Sequence, residues 1–211
     1  MKWPELLAKV GSEPLFSTGF LLAGRVNPAH LRRQFARWVK AGRLLQLRRG
    51  WYMLAEPYRK VQPHPFLVAN RLKKASYVSL QSALAEYGLI PEHVPVVTSV
   101  TTGRPEEVRT PLGTFLYRHV APAWFWGYVQ GDLAGGQTAF IATPEKALLD
   151  LIHLTPGADS SAFLEELRLQ NLGKLNPEVL KQLAVRSGSP KVRRAVARIL
   201  WLVKEEAVQP L

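Results

Sequence analysis

Across 211 residues, apolar side chains make up 47% and charged ones 21%, a balance that can bury a core and does not suit a disordered chain. The lack of cysteine excludes disulfides, thiolate metal sites and cysteine nucleophiles, and no apolar run approaches the roughly eighteen residues that span a bilayer. The net charge of +12 is concentrated: Pro14 to Ala85 holds thirteen Lys and Arg against one acid, Glu56, so this block carries the whole excess. A field of that sign draws in polyanions.

The opening MKWPELLAKVGSE meets Glu5 after two apolar residues, so it offers no signal-peptide core, and a cytoplasmic location is expected. Trp3 to Val10 suggests a short helix. FSTGFLLAG offers Ser17 as a helix N-cap, an apolar face at Phe20 and Leu21, and Gly24 as a stop. In NPAHLRRQFARWVKAG, Asn27 suits an N-cap, Pro28 the first helical position and Gly42 the C-terminal stop. Leu31, Phe35, Trp38 and Val39 form one stripe at helical spacing. Arg33, Arg37 and Lys40 point away from it, with His30 and Gln34 on one flank and Arg32 on the other. LLQLRRGWYML then reads as a hairpin turning at Gly50.

Helix, turn, cationic helix and basic-tipped hairpin is the order of a winged helix-turn-helix, whose second helix enters the major groove of DNA. Ordinary solvated helix faces mix signs; Arg33–Arg37 and Arg37–Lys40 are like-charged pairs at i+4 and i+3 with no acid to relieve them. A DNA-binding set follows: Arg25, Asn27, His30, Arg32, Arg33, Gln34, Arg37, Lys40, Arg43, Arg48 and Arg49. Arg33 and Arg37 are expected at base edges. Lys40, Arg43, Arg48 and Arg49 are expected at phosphates, giving affinity without sequence information. Trp38, Trp51 and Tyr52 are expected in packing, with stacking on single-stranded bases as the other option.

EPYRKVQPHP, with three prolines, marks a boundary. The expected division is a winged helix-turn-helix at 1–57, a linker at 58–65 and a second domain at 66–211. RLKKAS either extends the cationic face across the linker or edges a helix that buries Phe66, Leu67 and Leu72. Further on, Ser79 is expected to cap a helix burying Leu80, Leu84 and Tyr87 and stopping at Gly88. VPVVTSVTTG and TAFIA read as strands and TPLGTFLYRHV as a hairpin at Leu112-Gly113. Helices are expected near 159–170, 176–186 and 190–206, the last striped by Val192, Val196, Ile199, Leu200 and Val203. Its Arg193, Arg194 and Arg198 either pair with Glu165, Glu166, Glu205 or Glu206 or form a second basic surface. The fold class is thus α+β: an N-terminal winged helix-turn-helix, then a mixed α/β domain with a helical C-terminal part.

Catalytic chemistry finds little footing. His64, His93, His119 and His153 lack metal-ligand spacing, no phosphate-cradling glycine motif occurs, and Ser76, Ser79, Ser82 and Ser99 sit in no nucleophile elbow. In FIATPEKALLDLIHL, Glu145, Lys146 and Asp150 admit a nuclease-like reading. Thr143, Pro144 and Glu145 are instead the expected N-cap, N1 proline and first-turn acid of a helix whose apolar face is Ala147, Leu148, Leu151 and Ile152. No catalytic residue, metal or cofactor is expected.

SYVSLQSALAEYGLIPEHVPVVTSVTTGR (76–104), TPLGTFLYRHV (110–120) and ATPEKALLDLI (142–152) resemble the AbiEi-type antitoxin and transcriptional-regulator family, over roughly residues 16 to 155. The resemblance implies a prokaryotic, non-enzymatic repressor that binds its own promoter as duplex DNA and counters a neighbouring nucleotidyltransferase toxin. It maps the recognition helix onto Asn27–Ala41 and the wing onto Leu44–Leu54. No membrane association is expected, and a monomer or a dimer on paired half-sites remains open. The alternatives are a winged-helix protein with a nuclease-like second domain, a stand-alone regulator without a toxin, and a module whose basic face meets an acidic protein.

Overall fold

The computed structural model describes residues 1–21, 27–91 and 94–208, with side chains to 205. Gly24, Arg25, His93 and the Glu206 side chain, all named in the sequence reading, lie outside it. The architecture is mixed α/β with two β-sheets among several helices.

The first part runs α1 (Trp3–Val10), β1 (Phe16–Ser17), a helical turn α2 (Thr18–Leu21), α3 (Pro28–Lys40), β2 (Leu44–Arg48) and β3 (Trp51–Leu54). Ser17 Oγ accepts the Phe20 N–H at 3.3 Å, so the cap forms, but Phe20 is 60% exposed and only Leu21 of the expected pair is buried. β1, β3 and β2 form an antiparallel sheet in that order, Leu44 opposite Leu54 and Arg48 opposite Trp51 across a bulge. Gly50 closes the turn at φ +85°, a conformation that side chains with a Cβ resist. Leu6, Val10, Phe16, Leu21, Leu31, Phe35, Leu44, Tyr52 and Leu54 make one small core. Each large apolar side chain buried there contributes about 1.5–3 kcal/mol, which holds α3 in place despite its repelling charges.

The hairpin also joins the larger core: Leu47 and Met53 belong to the cluster that holds Phe66, Tyr77 and Phe115, not to the one that holds Leu31 and Phe35. The expected linker is likewise tied down, since Gln137 accepts the His64 N–H at 2.9 Å and donates to the Gln62 carbonyl at 2.9 Å.

The second part begins with α4 (Pro65–Leu72), which buries Phe66, Leu67 and Leu72 as the helix reading of RLKKAS requires. β4 (Ser76–Val78), α5 (Leu80–Glu86), β5 (Val96–Thr101), β6 (Glu106–Thr110), β7 (Gly113–His119), β8 (Tyr128–Leu133), β9 (Gln137–Ala142) and α6 (Pro144–Leu154) follow. The six strands are ordered β6-β7-β5-β4-β9-β8, with β5–β7 and β4–β9 parallel and the other pairs antiparallel. Tyr117 Oη donates to the Ala69 carbonyl at 2.7 Å, pinning α4 on one face. Thr98 Oγ1, on the opposite face, donates to the Ser79 carbonyl at 2.7 Å, and α5 and α6 cover that side. α7 (Ser161–Glu166), α8 (Pro177–Arg186) and α9 (Pro190–Val208) complete the described chain. Val192, Val196 and Ile199 are buried as the stripe predicts, while Leu200 and Val203 are half-buried. Arg194 and Arg198 are exposed, and among the described residues neither pairs with a glutamate. Arg194 pairs with Asp159 at 2.7 Å and Arg198 bonds the Asp159 carbonyl.

Candidate nucleic-acid interface

α3 is fixed before its charges are displayed. Asn27 Oδ1 accepts the N–H groups of Ala29 at 2.9 Å and His30 at 3.3 Å, satisfying backbone donors that the helix itself leaves open. Asn27 therefore serves the helix end first. Leu31 and Phe35 are fully enclosed. Trp38 is half-buried, its ring 5.2 Å from Trp3 edge-on and 5.6 Å from Phe35. Tyr52 is buried, so neither it nor Trp38 is presented for stacking.

The seam points inward, and Ala29, His30, Arg32, Arg33, Ala36, Arg37 and Lys40 are all exposed. Among the described residues, no ion pair involves Arg32, Arg33, Arg37 or Lys40, although other basic residues do find acids. Gln34 is half-buried, with its Oε1 enclosed and lacking a partner among the described residues.

The hairpin divides its labour. Arg49 is exposed at the tip without an ion pair among the described residues. Arg48, expected beside it at a phosphate, faces the protein instead. Its guanidinium donates to the Leu72 carbonyl at 3.1 Å and grips Glu106 at 3.2 and 3.1 Å. Lys73 joins the same carboxylate at 2.5 Å. Partial burial pushes the Glu106 pKa up, but the hydrogen bonds from Lys73 and Arg48 outweigh this and hold it below the usual carboxylate value. Arg43, also expected at phosphate, is half-buried with its guanidinium 5.5 Å from the Trp3 ring centroid. The Arg48–Leu72 bond sets the hairpin tip beside the end of α4, where Arg71 and Lys74 are exposed. Arg32, Arg33, Arg37 and Lys40 on α3 and Arg49 at the tip are thus exposed and in no ion pair among the described residues.

The other sequence candidate resolves differently. Thr143 Oγ1 caps α6 by accepting the Lys146 N–H at 3.3 Å, as the helix-start reading has it. Glu145 turns to the Asn176 N–H at 2.9 Å. Lys146 and Asp150, however, are fully buried and ion-paired one helical turn apart. Asp150 also accepts from Tyr77 Oη at 3.0 Å, Ser79 Oγ at 2.7 Å and Trp124 Nε1 at 2.6 Å. Lys146 donates to Tyr77 Oη at 2.9 Å and lies 4.7 Å from the Trp126 ring centroid. Ser79 thus spends its hydroxyl on Asp150 rather than on capping α5, which corrects its expected role. Burial pushes the Lys146 pKa down while Asp150 pulls it back. Every polar atom of the Asp150 carboxylate is engaged by the fold, so Glu145 and Asp150 converge on no shared site. Among the described residues, no group of three His, Asp or Glu could hold a metal ion.

Sequence reasoning missed this network because Tyr77, Ser79 and Trp124 are far from α6 in the chain; the only local sign was Lys146 and Asp150 at i and i+4 on an otherwise apolar helix. No protein-family model matches the chain, and no curated protein matches it significantly. Among the described residues, no helix is long and apolar enough to cross a membrane.

Proposed function

We propose that the chain is a sequence-specific, duplex-DNA-binding transcriptional repressor whose first part is a winged helix-turn-helix. The observation that carries this is the exposed face of α3, where Arg32, Arg33, Arg37 and Lys40 stand without an acidic partner among the described residues. Like charges at i+3 and i+4 cost helix stability, and binding to phosphates offsets that cost. In this reading α3 enters the major groove, Arg33 and Arg37 reach base edges, and Lys40 and Arg49 position the backbone. Arg48 holds the wing to the second domain rather than touching DNA.

The second part acts by binding rather than catalysis. Its resemblance to the AbiEi-type family supports a role as the antitoxin of a nucleotidyltransferase toxin, with autoregulation of the shared operon. Footprinting on the DNA upstream of its own gene tests the repressor reading: protection of a discrete site is expected, and uniform or absent protection contradicts it. Co-expression with a nucleotidyltransferase encoded alongside separates antitoxin from stand-alone regulator. Rescue of growth supports the first, and its failure leaves the DNA reading standing alone.

A further inference from the structure

The six-stranded sheet has two edges, and they are finished differently. β6 (EEVRT) carries Glu106, Glu107 and Arg109, and Glu106 is clasped by Arg48 of the hairpin and by Lys73. Charges and cover of this kind keep an edge from pairing with another chain. β8 (YVQGDL) at the other edge has no proline, no lysine and no bulge in its pairing with β9. Val129 on β8 and Phe140 on the adjoining β9 are 49% and 46% exposed.

The free backbone groups of β8 can be assigned. Phe140 lies opposite Gln130 but gives its N–H to Asn70 Oδ1 at 2.6 Å, so this pair does not exchange ladder bonds. By the alternation of an antiparallel ladder, Val129, Gly131 and Leu133 bond β9, while Tyr128, Gln130 and Asp132 turn their N–H and C=O groups outward. No hydrogen bond from the described residues reaches those groups.

The strand is complementary to itself. Laid antiparallel on a second copy about Gly131, Val129 meets Leu133 of the other strand on one face, and Gln130 meets Asp132 on the other. Gln130 and Asp132 are the outward-bonding residues, so this register forms backbone bonds where donors and acceptors stand open. Gly131 falls opposite itself at the closer, non-hydrogen-bonded position, where lack of a side chain permits approach. The carboxylate faces an amide rather than another carboxylate. We propose that β8 is a homodimer interface, joining two six-stranded sheets edge to edge around a two-fold axis at Gly131. The inference is independent of the DNA-binding reading.

Sedimentation velocity across micromolar concentrations tests it. The wild-type chain is expected to dimerise. Gln130→Asp sets two carboxylates opposite each other twice per dimer and should weaken association roughly tenfold. Adding Asp132→Lys to Gln130→Asp restores opposite charges in this register only, and the dimer should return. Circular dichroism checks that each variant is folded. Should Gln130→Asp fail to fold, Gln130→Lys replaces it and is expected to tighten the dimer against Asp132. A monomeric wild type, which would leave the edge for a strand from another protein, overturns the proposal. So does a folded Gln130→Asp variant that associates as well as wild type, or a folded Gln130→Lys variant that associates less well.

Discussion

Asp150 accepts hydrogen bonds from Lys146, Tyr77, Ser79 and Trp124 in a fully buried setting. A buried charge left without its partner is costly, so Asp150→Ala should destabilise the protein by about 3–5 kcal/mol in urea unfolding. A loss near that of a surface substitution would mean that the network is not fastening β4, the 122–127 segment and α6 together. His153 stacks on Trp124 with ring centroids 3.9 Å apart, and burial pushes its pKa below the ordinary 6.5. The unfolded chain therefore takes up the proton more readily. The His153 contribution to stability is complete above 6.5 and is lost as pH falls from there through the folded value. His153→Phe retains a ring and should flatten that part of the stability-against-pH curve; an unchanged slope would refute the assignment. On the proposed DNA face, Arg33→Ala should cost on the order of 1–3 kcal/mol of binding and relax preference at one base pair. Arg49→Ala should weaken all sequences alike, a contrast that competition binding on permuted sites resolves.

Between elements, the contact most open to test is the Arg48–Glu106–Lys73 clasp joining the hairpin to β6 and the end of α4. Glu106 is held below 4.5, so its contribution is present above 4.5 and lost as pH falls through the folded value. Glu106→Gln should remove that acid-side loss and speed amide exchange in the hairpin at neutral pH. Hairpin exchange unaffected by the change would show that the clasp is not what holds it. At this scale the sequence is legible where a local rule governs. Asn27-Pro28 and Thr143-Pro144 mark helix starts, Gly50 marks a turn, and the α3 stripe marks an inward face. Legibility fails where a distant partner governs. Arg48 looked like a free cation because Glu106 is 58 positions away, and Ser79 looked like a cap because Asp150 is 71 away. β4 and β8 went unread. β4 is three residues long, and Gly131 and Asp132 interrupt the apolar pattern of β8. The free edge that makes β8 a candidate interface needs the strand order, which no local pattern carries.

Over the described residues, Arg48, Lys73, Lys146 and Arg194 are committed to carboxylates within the fold, whereas Arg32, Arg33, Arg37, Lys40 and Arg49 are exposed without an ion pair, as are Lys9, Lys60, Arg71, Lys74, Arg104 and Arg193. In the proposed reading it is the crowding of four such cations on one helix, α3, with no acid among them, rather than the total of +12, that speaks for a nucleic-acid partner. Surface cations released from no internal contact act additively on a polyanion, each neutralised phosphate freeing counterions to the solvent. The most direct measurement is the affinity for duplex DNA carrying its upstream region, determined against salt for the wild type, Arg33→Ala and Arg37→Ala. For about four to six phosphate contacts the log–log slope should be about −4 to −5, with both variants weaker on the preferred site. Binding that ignores salt, or variants that bind that site as tightly as wild type, would contradict the assignment of α3 to DNA.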